Sequence, residues 1–218
     1  MIEKTDGSRA KSADVDRIMM TRCIALSAAA IERGELPFAG IVCRGDEVIA
    51  QATNEVVQGG DITRHAELVA ISKAQILLGQ KELAGCTLYS NVEPCAMCAF
   101  AARETRIERV VFSIRSPMMG GFSKWNVLRD SELSGAMPEV FGPVPEVVGG
   151  LMREEAEKIW QSWHPLIWAM IKQRGYLDGE EPDPALEHLD AIPDRRSLIR
   201  RIFSLHKHGP SLLRKFRL

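Results

Sequence analysis

"VEPCAMCAF", residues 92–100, places two cysteines three positions apart directly behind a proline. A strand-like run, "CTLYSN", precedes it, and a short helical run, "PCAMCAFAARET", contains it. Cys-x-x-Cys at the start of a helix serves three chemistries: a redox pair, a structural zinc clip, or half of a catalytic metal site. The stretch alone leaves all three open.

The segments on either side imply a fold. Upstream, Val15, Ile18, Met19, Ile24 and Leu26 give an apolar face to a helix capped by Ser12 or Asp14 and ended by Gly34. "FAGIVCRGDEVIAQATN" reads as two strands around the polar turn Arg44-Gly45-Asp46. "RHAELVAISKAQILLG" is a second helix ending at Gly79, and its apolar residues cover more than one face, which predicts burial. Downstream, "ERVVFSI" is a fourth strand, a Gly/Pro/Met-rich loop spans 116–145, and "PEVVGG" is a fifth strand. "LMREEAEKIWQSWHPLIWAMIKQRG" has helical period, with Pro165 kinking or splitting it. Helices alternating with strands predict an α/β sandwich of helices around one sheet, antiparallel at its first pair and parallel later.

The chain has 218 residues and 45% hydrophobic content, enough for one core with an appendage. Residues 1–12 are expected to be a disordered N-terminus, 13–175 one domain, and 176–218 a tail. The tail divides by charge: 177–190 carries six acids and no Lys or Arg, while 195–218 carries eight Lys or Arg and no acid. It reads either as a loose tail of balancing blocks or as a basic amphipathic segment for RNA, a membrane surface or a protein partner. The formal net charge of −1 argues neither for nor against nucleic acid. An odd count of five cysteines is no disulfide framework. No apolar run approaches the ~20 residues that span a bilayer, and the polar start "MIEKTDGSRAKSADVD" lacks an apolar signal core. A soluble, cytoplasmic protein with reduced thiols is expected.

Thirty positions before Cys95 lies "HAE", His65-Ala66-Glu67, at the start of the second helix. Two thiolates and an imidazole suit zinc in softness and geometry. All three would sit at helix N-termini, where the macrodipole favours thiolates. Structural zinc usually closes with four protein ligands, whereas catalytic zinc keeps one position open. Three candidate ligands and no second Cys pair favour catalysis. Cys86 is the residue that could add a fourth; like Cys23 and Cys43, it reads better as a small buried apolar residue. Two thiolates cancel the formal charge of Zn²⁺, so such a site acidifies water less than a tris-histidine zinc, where the water pKa is ~7. A carboxylate must then help. Glu67 could take a proton from the attacking water, pass it to a ring nitrogen, and later protonate a departing amine.

On these residues the chain resembles the cytidine deaminase-like superfamily, in the branch of tRNA adenosine deaminases and guanine deaminases. "H-x-E … P-C-x-x-C" is its metal signature. The likeness runs over about 14–165 and includes "ERGELPFAGIV", Asn54, "HAELVAI", "TLYSNVEPCAMCA" and "RIERVVFSIR". It implies a three-layer α/β/α sandwich around a mixed five-stranded sheet, hydrolytic deamination with release of ammonia, one Zn²⁺ per chain, and a homodimer. By position it makes His65, Cys95 and Cys98 the metal ligands, Glu67 the proton shuttle, and Asn54 and Phe38 contacts of the base. After the fourth strand that branch often carries an acid; here "SIRSPMMGGFSKWNVL" has none, and Glu132 or Glu139 could stand in. Met118, Met119, Phe122 and Trp125 could line an apolar wall or pack in a core or dimer. Trp160, Trp163 and Trp168 could close over the pocket. The resulting expectation is a zinc-dependent deaminase of a small aminated base or nucleoside, guanine-type purine first. A tRNA wobble-adenosine deaminase is the alternative. A non-catalytic zinc scaffold would have lost Glu67 or a ligand, and all four are present.

Overall fold

A computed structural model describes residues 4–177. Five strands, β1 (Ala39–Arg44), β2 (Glu47–Thr53), β3 (Cys86–Val92), β4 (Arg109–Ile114) and β5 (Glu146–Gly149), form one sheet in the order β2-β1-β3-β4-β5. β1 and β2 are the expected hairpin, paired antiparallel from Ala39 opposite Thr53 to Arg44 opposite Glu47. Gly45 turns it at φ 62°, a conformation open to a residue without Cβ. β1 is also antiparallel to β3, whereas β3–β4 and β4–β5 are parallel. The start of β1 and the ends of the other four strands therefore share one end of the sheet.

Among the described residues seven helices surround it: α1 (Lys4–Glu32), α2 (Val56–Gly59), α3 (Ala66–Leu78), α4 (Ala96–Glu104), α5 (Ser131–Ala136), α6 (Arg153–Trp163) and α7 (Pro165–Gln173). Side chains alternate along the strands, so the sheet feeds two cores. One joins Val42, Leu88, Val110 and Phe112 to Val69, Ile71, Ala99 and Ala102 of α3 and α4. The other joins Ile41, Tyr89, Val111 and Ile114 to Met20, Cys23, Trp160 and Trp168 of α1, α6 and α7. Helices on both faces complete the three-layer sandwich. Pro165 splits the last helix as expected: its ring occupies the first turn of α7, where the missing N–H costs nothing.

Three local readings differ from expectation. α1 starts at Lys4 rather than at a cap near Ser12 or Asp14; residues 4–14 hold no proline to stop the helix extending backwards. The 116–145 loop contains α5, capped by Asp130, whose side chain accepts from Glu132 and Leu133 N–H. α3 is not buried all round, since Ile76 and Leu77 are 76% and 69% exposed. All of the charge-divided tail beyond Leu177 lies outside the described residues.

Asp16 ties α1 to the sheet. It is buried and accepts from Tyr89 Oη at 2.8 Å and from both terminal nitrogens of Arg109. Removing Asp16 leaves Tyr89 Oη without its acceptor and Arg109 with, among the described residues, only the exposed Glu146, 3.2 Å away, in a poorly solvated place. Asp16→Ala is expected to lower unfolding free energy by about 3 kcal/mol in urea titrations. A loss below about 1 kcal/mol would mean that the pair is merely tolerated.

Candidate metal centre

The sequence delivers three soft donors to the shared end of the sheet. His65 is the N-cap residue of α3 and Cys95 that of α4, both extended in backbone and neither using its side chain to cap. Cys98 lies in the first turn of α4 and is fully buried. His65 Nδ1 stands 3.6 Å from Cys95 Sγ and 3.5 Å from Cys98 Sγ, and the two sulfurs are 3.6 Å apart. A disulfide would need an S–S distance of ~2.05 Å, so the pair is not bonded. Tetrahedral zinc with Zn–S of ~2.3 Å and Zn–N of ~2.0–2.1 Å sets S–S near ~3.8 Å and S–N near ~3.6 Å. The three donors fit that ion.

Their electrostatics fit as well. Hydrogen bonding from Cys98, then from His65, holds the Cys95 thiol down to about 4. Cys98 is pushed well up by its bond to Cys95 and by burial. His65 is raised by its bond to Cys95. The two thiols thus favour holding one proton between them, which a metal must displace. Glu67 follows in the first turn of α3, 5% exposed, with Ser90 Oγ donating to it at 3.2 Å. Burial raises its affinity for protons, as does the Cys95 charge. α3 comes this close because β1 has Gly40 there. A Cβ on Gly40 would lie 3.1 Å from the Glu67 backbone.

The loop after β4 is laid over the start of α4 by another acid, Glu93. Its carboxylate accepts from the N–H groups of Ser116, Phe122 and Ser123 and from Ser123 Oγ, at 2.6–2.9 Å. Cys95 bridges to Gly120 across this contact. "MGG" is explained by crowding: a Cβ on Gly120 would sit 2.0 Å from Glu93, and one on Gly121 2.2 Å from Ala99 Cβ.

The family model for the cytidine and deoxycytidylate deaminase zinc-binding region matches residues 13–114. The tRNA-specific adenosine deaminase of Aquifex aeolicus is 39% identical over 118 residues, 54% of this chain and 78% of that protein. The chain belongs to the cytidine deaminase-like superfamily. The probable cytosine deaminase of Schizosaccharomyces pombe is 30% identical over 184 residues, covering 79% of this chain and 98% of that one. A solved guanine deaminase from Nitrosomonas europaea has a TM-score of 0.52 at 27% identity, covering 66% of this chain and 81% of that one. The protein is a zinc-dependent hydrolytic deaminase, and His65, Cys95 and Cys98 form its candidate zinc site.

In this deaminase Asn54 and Phe38 adjoin each other at the same end of the sheet, where Asn54 N–H donates to Phe38 O at 3.0 Å. Asn91 of β3 clamps that edge, donating to Pro37 O and accepting from Ala39 N–H, both at 2.8 Å. Phe38 meets the Trp160 ring edge-on at 4.9 Å, and Trp168 packs behind Trp160 at 5.9 Å. Of the proposed apolar wall, Phe122 packs toward the core at 6.1 Å from Phe112, whereas Met119 and Trp125 are exposed. Cys86 is buried in the α3/α4 core and is not in the donor cluster. Glu139 lines a cleft of about 510 Å³ with Lys81, Arg106 and Gln75, which includes none of the ligands.

Two residues that shape this end were not singled out from the sequence. Glu93 stands inside the motif itself, and Glu35 in "ERGELPF" is 2% exposed. The only signal for Glu35 was an acid wedged between a helix-ending glycine and an apolar strand entry. Among the described residues no helix is long and apolar enough to cross a membrane.

Proposed function

We propose that this deaminase acts on a small free aminated base or nucleoside, with a guanine-type purine first. The observation that carries this is the path of the C-terminal segment. After α7 the chain returns to the loop beside Glu93, where Ser116 Oγ donates to Tyr176 O at 3.3 Å. Leu177 is buried with Trp160 and Trp168. A strap across that end of the sheet suits a compact substrate better than an anticodon loop. The Nitrosomonas guanine deaminase likeness agrees.

In this reading Asn54 and Phe38 hold the ring, and Glu67 carries protons. Glu67 accepts a proton from the attacking water and gives it to a ring nitrogen; it then takes the second proton, from the added hydroxyl, and passes it to the amine, which leaves as ammonia. The C–O bond forms first, on addition of water, and the C–N bond breaks afterwards as that oxygen becomes a carbonyl. Zinc, when held by His65, Cys95 and Cys98, supplies Lewis-acid activation of water. A second copy of the chain is proposed to cover the exposed apolar residues Ile76, Leu77, Met97 and Phe100 of α3 and α4; a light-scattering mass of twice 24.2 kDa checks this.

The second reading, wobble-adenosine deamination in tRNA, is favoured by the identity to the Aquifex enzyme. An ammonia-release screen of guanine, adenine, cytosine, their nucleosides and a tRNA anticodon stem-loop separates the two. Turnover of guanine with none of the stem-loop is the expected result. Inosine formed in the stem-loop, with every free base inert, would replace the first reading by the second.

A further inference from the structure

Glu35 is a buried acid that the metal chemistry does not use. Its Oε1 accepts from Gln58 N–H at 2.7 Å, and its Oε2 accepts from Val57 N–H at 3.2 Å and from Asn54 Nδ2 at 3.0 Å. The first two bonds cap α2, whose own N-cap residue, Glu55, makes no side-chain cap bond. The third bond concerns the site. A carboxylate already receiving backbone N–H groups is an acceptor, so the nitrogen of the Asn54 amide must face it and the oxygen must face away. Asn54 is 3% exposed. It follows Thr53, the partner of Ala39. The next residue of β1 is Gly40, against which the Glu67 backbone packs. The amide oxygen therefore belongs to the same end of the sheet as Glu67, held in one of two otherwise similar orientations.

We propose that Glu35 is a positioning residue that locks the Asn54 carboxamide with its acceptor oxygen toward the substrate, so that the enzyme selects aminated rings presenting an N–H at that edge. This rests on the reading that Asn54 touches the base. Freed from Glu35, the amide can turn over and offer N–H where the ring also offers N–H. Two donors then meet in a buried place, and the unmade bond costs about tenfold or more in rate.

The test uses the full chain with whichever of guanine, adenine, cytosine or the anticodon stem-loop turns over fastest. Glu35→Gln keeps an oxygen for α2 but aims a donor at Asn54. Its kcat/KM is expected to fall at least about tenfold with zinc content unchanged, while the melting temperature falls modestly because Val57 N–H loses the same acceptor. In an Asn54→Ala background the same change is expected to matter by less than about twofold, because there is no amide left to orient. Asn54→Asp alone sets two carboxylates together. Combined with Glu35→Gln it rebuilds the bond in reverse, leaving an acceptor oxygen toward the substrate, and activity is expected to recover at least about fivefold over Asn54→Asp. Equal losses from Glu35→Gln in both backgrounds, or no recovery in the double variant, would reduce Glu35 to a cap of α2 and overturn the proposal. The same holds if Glu35→Gln unfolds and Asn54→Asp does not restore it. Full activity of Asn54→Ala would instead remove the substrate role of Asn54, and the proposal with it.

Discussion

Glu67→Gln is expected to slow ammonia release by about a hundredfold to ten-thousandfold while leaving fold and zinc intact. The expectation separates two jobs that the sequence places two residues apart. His65 is one of the clustered donors; Glu67 is not. Glutamine keeps the size of the side chain and an oxygen for Ser90 Oγ, now 3.2 Å away, so the buried space is neither emptied nor overfilled. What it cannot do is take up and return a proton. Burial raises the proton affinity of Glu67, which suits a group that must keep a proton between two transfers. Steady-state rates, zinc by metal analysis and a thermal melt together check it. A variant within tenfold of the parent rate would remove Glu67 from the proton path.

The parts of this fold legible in the sequence were those with a strong local period or a hard punctuation mark. Apolar runs split by Gly45 and Pro165 yielded the hairpin and the broken last helix. The cluster of His65, Cys95 and Cys98 was legible because metal chemistry constrains residue type and spacing together. The four residues of α2, "VVQG", carry no period at all, and α5 hides in a loop of turn-forming residues. Exposure was harder. Ile76 and Leu77 look like core in a periodicity argument, yet they face outward in the single chain. Glu35 and Glu93 look like surface, because a lone acid usually is. Each is buried because several N–H groups from distant segments converge on it, at α2 for Glu35 and at Ser116 to Ser123 for Glu93. Such convergence depends on tertiary placement, and no spacing in the sequence encodes it.

That convergence also links the scaffold to chemistry. The metal donors sit at two helix starts, but a helix start is placed only as well as the strands beneath it. Gly40 admits α3, Asn91 clamps the entry to β1, and Glu93 pins the loop across α4. These contacts involve no ligand atom, yet they set where His65, Cys95 and Glu67 stand.

Cys98→Ala is expected to reduce zinc from about one ion per chain to less than about a tenth, and ammonia release to background, because two protein donors do not hold the ion that three do. The effect on proton release is more discriminating. The bond between Cys95 and Cys98 lowers the first thiol and, with burial, raises the second, so the pair favours holding one proton between them. Zinc binding near neutral pH must therefore expel the proton that the pair holds, and about one proton or more should appear in weakly buffered solution per zinc bound. The sign follows: uptake strengthens as pH rises and weakens as it falls, since acid returns the proton that zinc has to displace. Cys98→Ala should lose this released proton along with the metal, while Cys23→Ala, a buried thiol on the other face of the sheet, should change neither. Stoichiometric zinc retained by Cys98→Ala would mean that the ion is held by donors other than these three. A parent chain that folds and turns over without zinc would return Cys95 and Cys98 to a redox role.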